Sequence, residues 1–381
     1  MSSPDPGAAF RELKFRDPSR ASAMVQALHR LTADIGRPRV SLMHVCGSHE
    51  QAIAKYGLRA TLPPALNVIM GPGCPVCVTD TREVDDGVAL ALQGVQIATY
   101  GDMLRVPGTV MSLADAQAEG ARVHVLYSAG QAVELATRLG APLVFFATGF
   151  ETTAVATAAI VLRGLPENLS ILSAHKFIPP AMDMVAATPG LAVEGFLAAG
   201  HAATITGWGV FEALAERHRL PVVVAGFEPL DILAALVKLL ELVRDGTPRV
   251  ANMYPRCVTK EGNLRAQHAL WEVFQPARGR WRGIADVPDG NLVLRDRFAH
   301  VDARTRFAID LAPLSRHAPH ALAESCICGS IMVGAKSPTE CPLFGGGCTP
   351  EHPVGACMVS TEGTCRIWHQ YGGYPDLGGV A

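Results

Sequence analysis

Three cysteines and a histidine stand just past two short apolar runs, and their types alone point to soft-metal or thiol chemistry. Val40 to Val45 ends at Cys46-Gly47-Ser48-His49, and Leu66 to Met70 ends at Gly71-Pro72-Gly73-Cys74-Pro75-Val76-Cys77. Thiolate sulfur is both a soft ligand and a nucleophile, so such a cluster suits a transition metal or a thiol–disulfide couple. Cys46 precedes Gly-Ser-His instead of lying inside an apolar run, unlike the core thiols that most free cysteines become. His49, about one helical turn further on, could orient a bound group or pass a proton. Cys74 and Cys77 form a CxxC, a spacing that lowers one thiol pKa and allows cycling between dithiol and disulfide. Half of a zinc site is the other reading, although no second CxxC stands at ribbon spacing.

Six of the ten cysteines, Cys326, Cys328, Cys341, Cys348, Cys357 and Cys365, crowd into the tail. Prolines and glycines between them break any long helix, so the backbone can wrap a compact object. Four thiolates bind a cubane iron–sulfur cluster, and structural zinc needs the same supply. Neither a tight ferredoxin run nor a paired CxxC ribbon is present. Spacing therefore leaves cluster, zinc and loose thiols open, with six candidates for four places.

The elements that must position these groups alternate as strand and helix, the signature of parallel sheets. Strands are expected at Val40–Val45, Leu66–Met70, Val95–Tyr100, Val123–Tyr127, Leu143–Ala147, Leu169–Leu172, Ala203–Ile205 and Val222–Ala225. Helices are expected at Ala21–Ile35 after a mobile start, then Thr81–Leu92, Gln131–Leu139, Thr152–Arg163, Phe211–His218, Leu230–Arg244 and Gly262–Phe274. Polar motifs follow these strands: Gly101-Asp102-Met103, Gly149-Phe150-Glu151-Thr152-Thr153, His175-Lys176 and Gly226-Phe227-Glu228-Pro229. A lone acid at a helix start is ordinarily a dipole cap. Together with the cysteine motifs on one sheet edge, these groups suggest a cleft instead. The expected fold is α/β, with two Rossmann-like parallel-sheet domains facing a cleft and a mixed C-terminal domain. Residues 1–140 hold Cys46 and the CPVC loop, 141–248 the Gly149 and Gly226 motifs, and 249–381 a metal-dependent tail.

Composition narrows the class. Lys plus Arg number 33 against 35 Asp plus Glu, so no net charge draws the 381-residue chain to nucleic acid or anionic lipid. Met1 to Arg20 is Pro-, Ser- and charge-rich without the apolar core of a secretory signal. No apolar run approaches the roughly 20 residues of a membrane span. The expectation is a soluble cytoplasmic protein, in which dense cysteine favours metal or redox chemistry over a disulfide scaffold.

The motifs resemble one family, the hydrogenase maturation protein HypD. They are Cys-Gly-x-His at Cys46, Gly-Pro-Gly-Cys-Pro-Val-Cys at Gly71, Gly-Asp-Met-x-Arg-Val-Pro-Gly at Gly101, Gly-Phe-Glu-Thr-Thr at Gly149, Gly-Phe-Glu-Pro-x-Asp at Gly226, and Pro-Val-Gly-Ala-Cys-Met-Val-Ser-x-Glu-Gly-x-Cys at Pro353. They run in family order from about Arg37 to Tyr371. Gln51 stands where a second histidine is common, and a Pro-Gly-His-Val element reads Ala199-Gly200-His201-Ala202.

The resemblance implies a scaffold that assembles the transient Fe(CN)2CO unit of nickel–iron hydrogenase with a HypC-type small chaperone. It further implies a HypE-type cyanide donor, indirect service to the hydrogenase large subunit, and a 4Fe–4S cluster in the tail. On that basis Cys46 is the expected iron ligand with His49 beside it, and Cys74/Cys77 an exposed redox pair. Cys341, Cys348 and Cys365 are the expected cluster ligands with Cys328 as the fourth, Cys326 and Cys357 being substitutes. Asp102, Glu151, Thr152, Thr153, His175 and Glu228 are expected around the cargo or at partner contacts. The competing readings are an iron–sulfur-dependent thiol–disulfide oxidoreductase and a zinc-stabilised interaction scaffold.

Overall fold

The computed structural model describes residues 17–188, 190, 192–318 and 322–373, so the expected mobile start before residue 17 lies outside the described residues. The first element is the helix Pro18–Ile35. Asp17 caps it by accepting from the Ser19 and Arg20 amides, Pro18 supplies a preset φ, and Gly36 closes it at φ 66°.

Two sheets follow, and the chain visits each of them twice. The first is wholly parallel, in the order β2 (Leu66–Met70), β1 (Val40–His44), β7 (Gly195–Ala199), β8 (Val222–Ala225), β9 (Val250–Asn252). The second places β4 (Val123–Leu126), β3 (Gln96–Tyr100), β5 (Leu143–Gly149) and β6 (Leu169–Lys176) in parallel. An antiparallel hairpin, β11 (Asp286–Leu294) and β10 (Phe274–Arg280), extends that sheet past β6. The architecture is therefore α/β with one parallel and one mixed sheet. The boundaries expected at 140 and 248 do not divide it: β3 and β4 share a sheet with β5 and β6, β9 completes the first sheet, and the hairpin joins the second.

Three of the strand and loop expectations change. Ala203–Ile205 lies in the helix Gly200–Thr206, and the strand is Gly195–Ala199 instead. A three-residue apolar run cannot distinguish a buried helical turn from a strand. β6 continues beyond Leu172 through His175 and Lys176, so that pair sits within the strand. The hairpin around Trp281 replaces what reads as loop.

Side-chain alternation on the strands creates three packed layers. Leu42, Leu197 and Val223 face the helices Pro18–Ile35 and Pro229–Arg244. Phe145, Ala147 and Ile171 face the helices Ala129–Leu139, Glu151–Leu162 and Leu264–Val273. The opposite faces, with Met43, Phe196, Val144 and Phe146, share a core with Trp281 and the tail cysteines. Each fully buried Val, Leu, Ile or Phe of these layers contributes about 1.5–3 kcal/mol by leaving water. No helix among the described residues is long and apolar enough to cross a membrane.

Candidate metal centre between facing strand ends

Among the parallel strands of each sheet the order reverses once, and that point opens a crevice at the carboxyl ends. The first sheet reverses between β1 and β7, the second between β3 and β5. Cys46 and His201 leave the first pair; Asp102 and Glu151 leave the second.

Cys46 follows β1 and caps the helix Gly47–Lys55, where the Ser48 and His49 amides approach its sulfur. Its Sγ lies 3.9 Å from His201 Nδ1, and the residue is only 2% exposed. Burial, reinforced by the Glu362 carboxylate, pushes this thiol up to about 12. It therefore keeps its proton at neutral pH until a soft cation replaces it, because metal binding to a thiol releases the proton. Gly73 sets the distance to the next loop: a Cβ there would collide with the Val45–Cys46 backbone. The Gly47 amide also donates to the Gly73 carbonyl at 3.2 Å.

Glu151 enters from the opposite sheet. Its Oε1 accepts from the Ile178 amide at 2.9 Å, while Oε2 is buried with no hydrogen-bond partner among the described residues. Burial raises this carboxyl from 4.5 to about 6, opposed in part by nearby His201. A raised acid pKa means the folded state holds the proton more tightly, so stability falls as pH rises from 4.5 through 6. Glu151→Gln is accordingly expected to stabilise the fold by up to about 2 kcal/mol at pH 7, the two proteins converging below the unfolded carboxyl pKa. Urea melts across that pH range measure this. A Gln variant less stable than wild type at pH 7 would show that the charged carboxylate is satisfied.

The remaining candidates sort by position. His49 is anchored behind the thiol: Nε2–H donates to the Gly226 carbonyl at 2.9 Å and the ring stacks on Phe227. Burial, with His44 nearby, pulls it down to about 3, so it is neutral, and its Nδ1 has no hydrogen-bond partner among the described residues. Asp102 accepts from Ser360 Oγ at 2.9 Å and from the Thr361 amide, fixing the segment that carries Glu362. Glu362 in turn accepts from Ser48 Oγ, and burial raises its carboxyl above the ordinary range. Thr152 and Thr153 form the first helical turn after Gly149, half-buried. His175 sits behind the Gly149 motif: its Nδ1 lies 3.3 Å from the Gly149 carbonyl and its Nε2 2.9 Å from Thr157 Oγ1, the ring meets Phe274 edge-on, and burial lowers it to about 4. Glu228 is a reciprocal cap with Asp231 on the helix Pro229–Arg244.

Two residues of this centre, His201 and Glu362, are absent from the expected set. His201 is hidden by the misplaced strand, although it closes a Gly-His step after an apolar run. Glu362 comes from the tail, and nothing in spacing brings it to Cys46.

Cys74 and Cys77 are joined as a disulfide with Cα atoms 5.3 Å apart. They are 2% and 0% exposed, so the pair is buried where an exposed one is expected. Cys77 Sγ reaches the Ala356 carbonyl at 4.0 Å, next to Cys357. The tail thiols then form a continuous set: Cys328 contacts Cys326 and Cys357, and Cys357 contacts Cys365. Cys348 faces Cys326, Cys341 and Cys365. No three Cys, His, Asp or Glu among the described residues converge on a single ion. A cubane makes no such demand, since each thiolate takes a separate iron corner.

The HypD family, described as the hydrogenase formation hypA family, matches residues 19–372. The chain is 41% identical over 363 residues to a putative hydrogenase expression/formation protein of Methanocaldococcus jannaschii, covering 94% of this chain and 99% of the relative. It is 39% identical over 375 residues to a hydrogenase maturation factor HypD of Azotobacter vinelandii, covering 94% and 97%. A hydrogenase maturation factor HypD of Cupriavidus necator is 37% identical over 384 residues, covering 97% and 100%.

Proposed function

The chain belongs to the HypD family of hydrogenase maturation factors, and from that premise we propose that it is the scaffold on which the iron of the Fe(CN)2CO unit is held and dressed. One observation carries this reading: a buried thiol, Cys46, at a strand-order reversal, with His201 3.9 Å from its sulfur and the Glu362 carboxylate acting on it from the tail. Iron is the cargo. Cys46 supplies one thiolate to it, and a HypC-type small chaperone supplies the second ligand. Cyanide comes from a HypE-type donor, and the finished unit passes to the hydrogenase large subunit.

Glu151 and His201 take up the proton that leaves Cys46 when iron binds. Their mutual charge coupling lets one gain what the other lacks. The dry surroundings keep water off a strong-field iron centre.

The tail chemistry fits a 4Fe–4S group. Cys341, Cys365 and Cys326 stand around Cys348, and Cys328 adjoins Cys326 and Cys357, so the tail supplies the four thiols such a group needs with Cys328 among them. A Cβ at Gly355 would lie 2.8 Å from Cys326 Sγ, so the glycine leaves that sulfur room. When bound, such a cluster supplies electrons one at a time. The Cys74–Cys77 disulfide opens on taking two electrons and two protons, and its place between Cys46 and the tail suits a relay. Its burial weighs against a reductase of other proteins' disulfides, because thiol exchange needs in-line access to a sulfur.

The test is the infrared spectrum of the full chain, co-purified anaerobically with its small-chaperone partner, together with iron content. Bands of iron-bound cyanide and carbon monoxide are expected. Brown protein without those bands would favour the thiol oxidoreductase, and colourless zinc protein the interaction scaffold.

A further inference from the structure

Trp281-Arg282-Gly283 turns out of β10 into the space between the cysteine-bearing segments, and none of the chemistry above uses it. Trp281 is fully buried and its Nε1–H donates to the Gly290 carbonyl at 3.2 Å, which pins the turn. Gly283 lies directly on Gly329, the residue after Cys328: a Cβ at Gly283 would stand 2.6 Å from Gly329 Cα. On the other side, the Arg282 amide donates to the Val78 carbonyl at 3.0 Å and Nε to the Thr79 carbonyl at 2.8 Å. Those carbonyls end the helical turn Pro75–Val78 that carries Cys77. One residue thus ties the disulfide turn to the tail thiols.

Arg282 is half-buried, and its guanidinium is only partly used. Its Nη2 has no hydrogen-bond partner among the described residues and no solvent contact. The charges it faces are Cys328, Asp80, Asp85 and Glu83. Arginine does not shed its proton in proteins, so this is a fixed positive charge beside sulfur. Arg282 also lines, with Cys326 and Cys328, a cavity of about 560 Å³.

We propose that Arg282 is a positioning residue whose fixed charge favours the reduced state of the thiolate-held cluster, easing electron entry beside the Cys74–Cys77 turn. The inference rests on the reading of the tail as a 4Fe–4S site. Each electron accepted adds one negative charge that no proton balances, and a partly desolvated cation nearby offsets that charge more strongly than fully water-screened groups can.

The experiment is an anaerobic dithionite titration of the full-length protein, following the reduced-cluster electron paramagnetic resonance signal in wild type, R282Q and R282K. Dithionite supplies the electron. In R282Q the reduction equilibrium is expected to weaken on the order of tenfold, which is about 59 mV for a one-electron couple. Iron and sulfide content should stay at the wild-type level, and R282K should titrate close to wild type. An unchanged potential in a fully loaded R282Q overturns the proposal. So does an R282K shift as large as that of R282Q, since the charge would then not be the agent. R282M, similar in length and equally neutral, replaces R282Q if the latter does not fold. Wild-type protein with no iron–sulfur signal would instead overturn the tail reading beneath the proposal.

Discussion

Cys46→Ala is expected to abolish the cyanide and carbonyl infrared bands completely while leaving the fold and the tail iron in place. The residue is small, buried and packed mainly by Ala199, Ala202 and Phe227, so alanine removes one sulfur atom and little packing. No other cysteine among the described residues lies at this reversal point, and His201 alone cannot replace a thiolate for low-spin iron. Cys46→Ser is the sharper variant, since it keeps the shape and replaces only the soft donor. Bands at wild-type strength in either variant, with normal iron and circular dichroism, would remove Cys46 from the iron site.

Glu50→Ala should be the most destabilising single change near the centre, at about 3–5 kcal/mol, because it strips a buried cation of its carboxylate. Arg59 donates to both Glu50 oxygens at 2.8 and 2.7 Å, His44 Nε2–H donates at 2.8 Å, and Trp368 Nε1–H at 2.6 Å. Burial by itself would raise this carboxyl, but Arg59 and His44 outweigh it and hold the group below the usual range. A depressed carboxyl pKa gives stability that is complete at neutral pH, begins to erode below the unfolded value of roughly 4.3, and is lost as pH falls through the folded pKa. Urea denaturation of E50A and of the double variant E50A/R59M tests this. The double variant should recover part of the loss, since no buried cation is left behind. A cost under about 1 kcal/mol for E50A would mean that the network is not dry.

The parts of this arrangement written locally in the chain were readable from it. β1 and β2 are short, mostly apolar and followed closely by glycine or cysteine, so strand, strand end and chemistry-bearing residue coincide at Cys46 and at Cys74. The helix Thr81–Leu92 was equally legible. β10 was not, because Phe274-Gln-Pro-Ala-Arg-Gly-Arg reads as polar loop; its Pro276 and Gly279 are tolerated because it is the edge strand. His175 lies inside β6 because that strand runs on past its apolar run, and its imidazole bridges the Gly149 carbonyl and Thr157 Oγ1. Glu228 took its ordinary role as a cap. His201 and Glu362 reach Cys46 from 155 residues away and from the tail, a proximity that tertiary packing creates and local pattern does not encode.

The twice-visited sheets have a consequence for the order of events on the ribosome. β1 pairs with β7, and the cleft is covered only when Asp102 fixes the Ser360–Glu362 segment. A nascent chain therefore exposes Cys46 throughout most of its synthesis, with no partner strand on one side and no Glu362 above it. Pairings of such long sequence separation form late and slowly. Cys46 is thus enclosed only in the completed chain, and folding itself sets the earliest moment at which its dry surroundings exist.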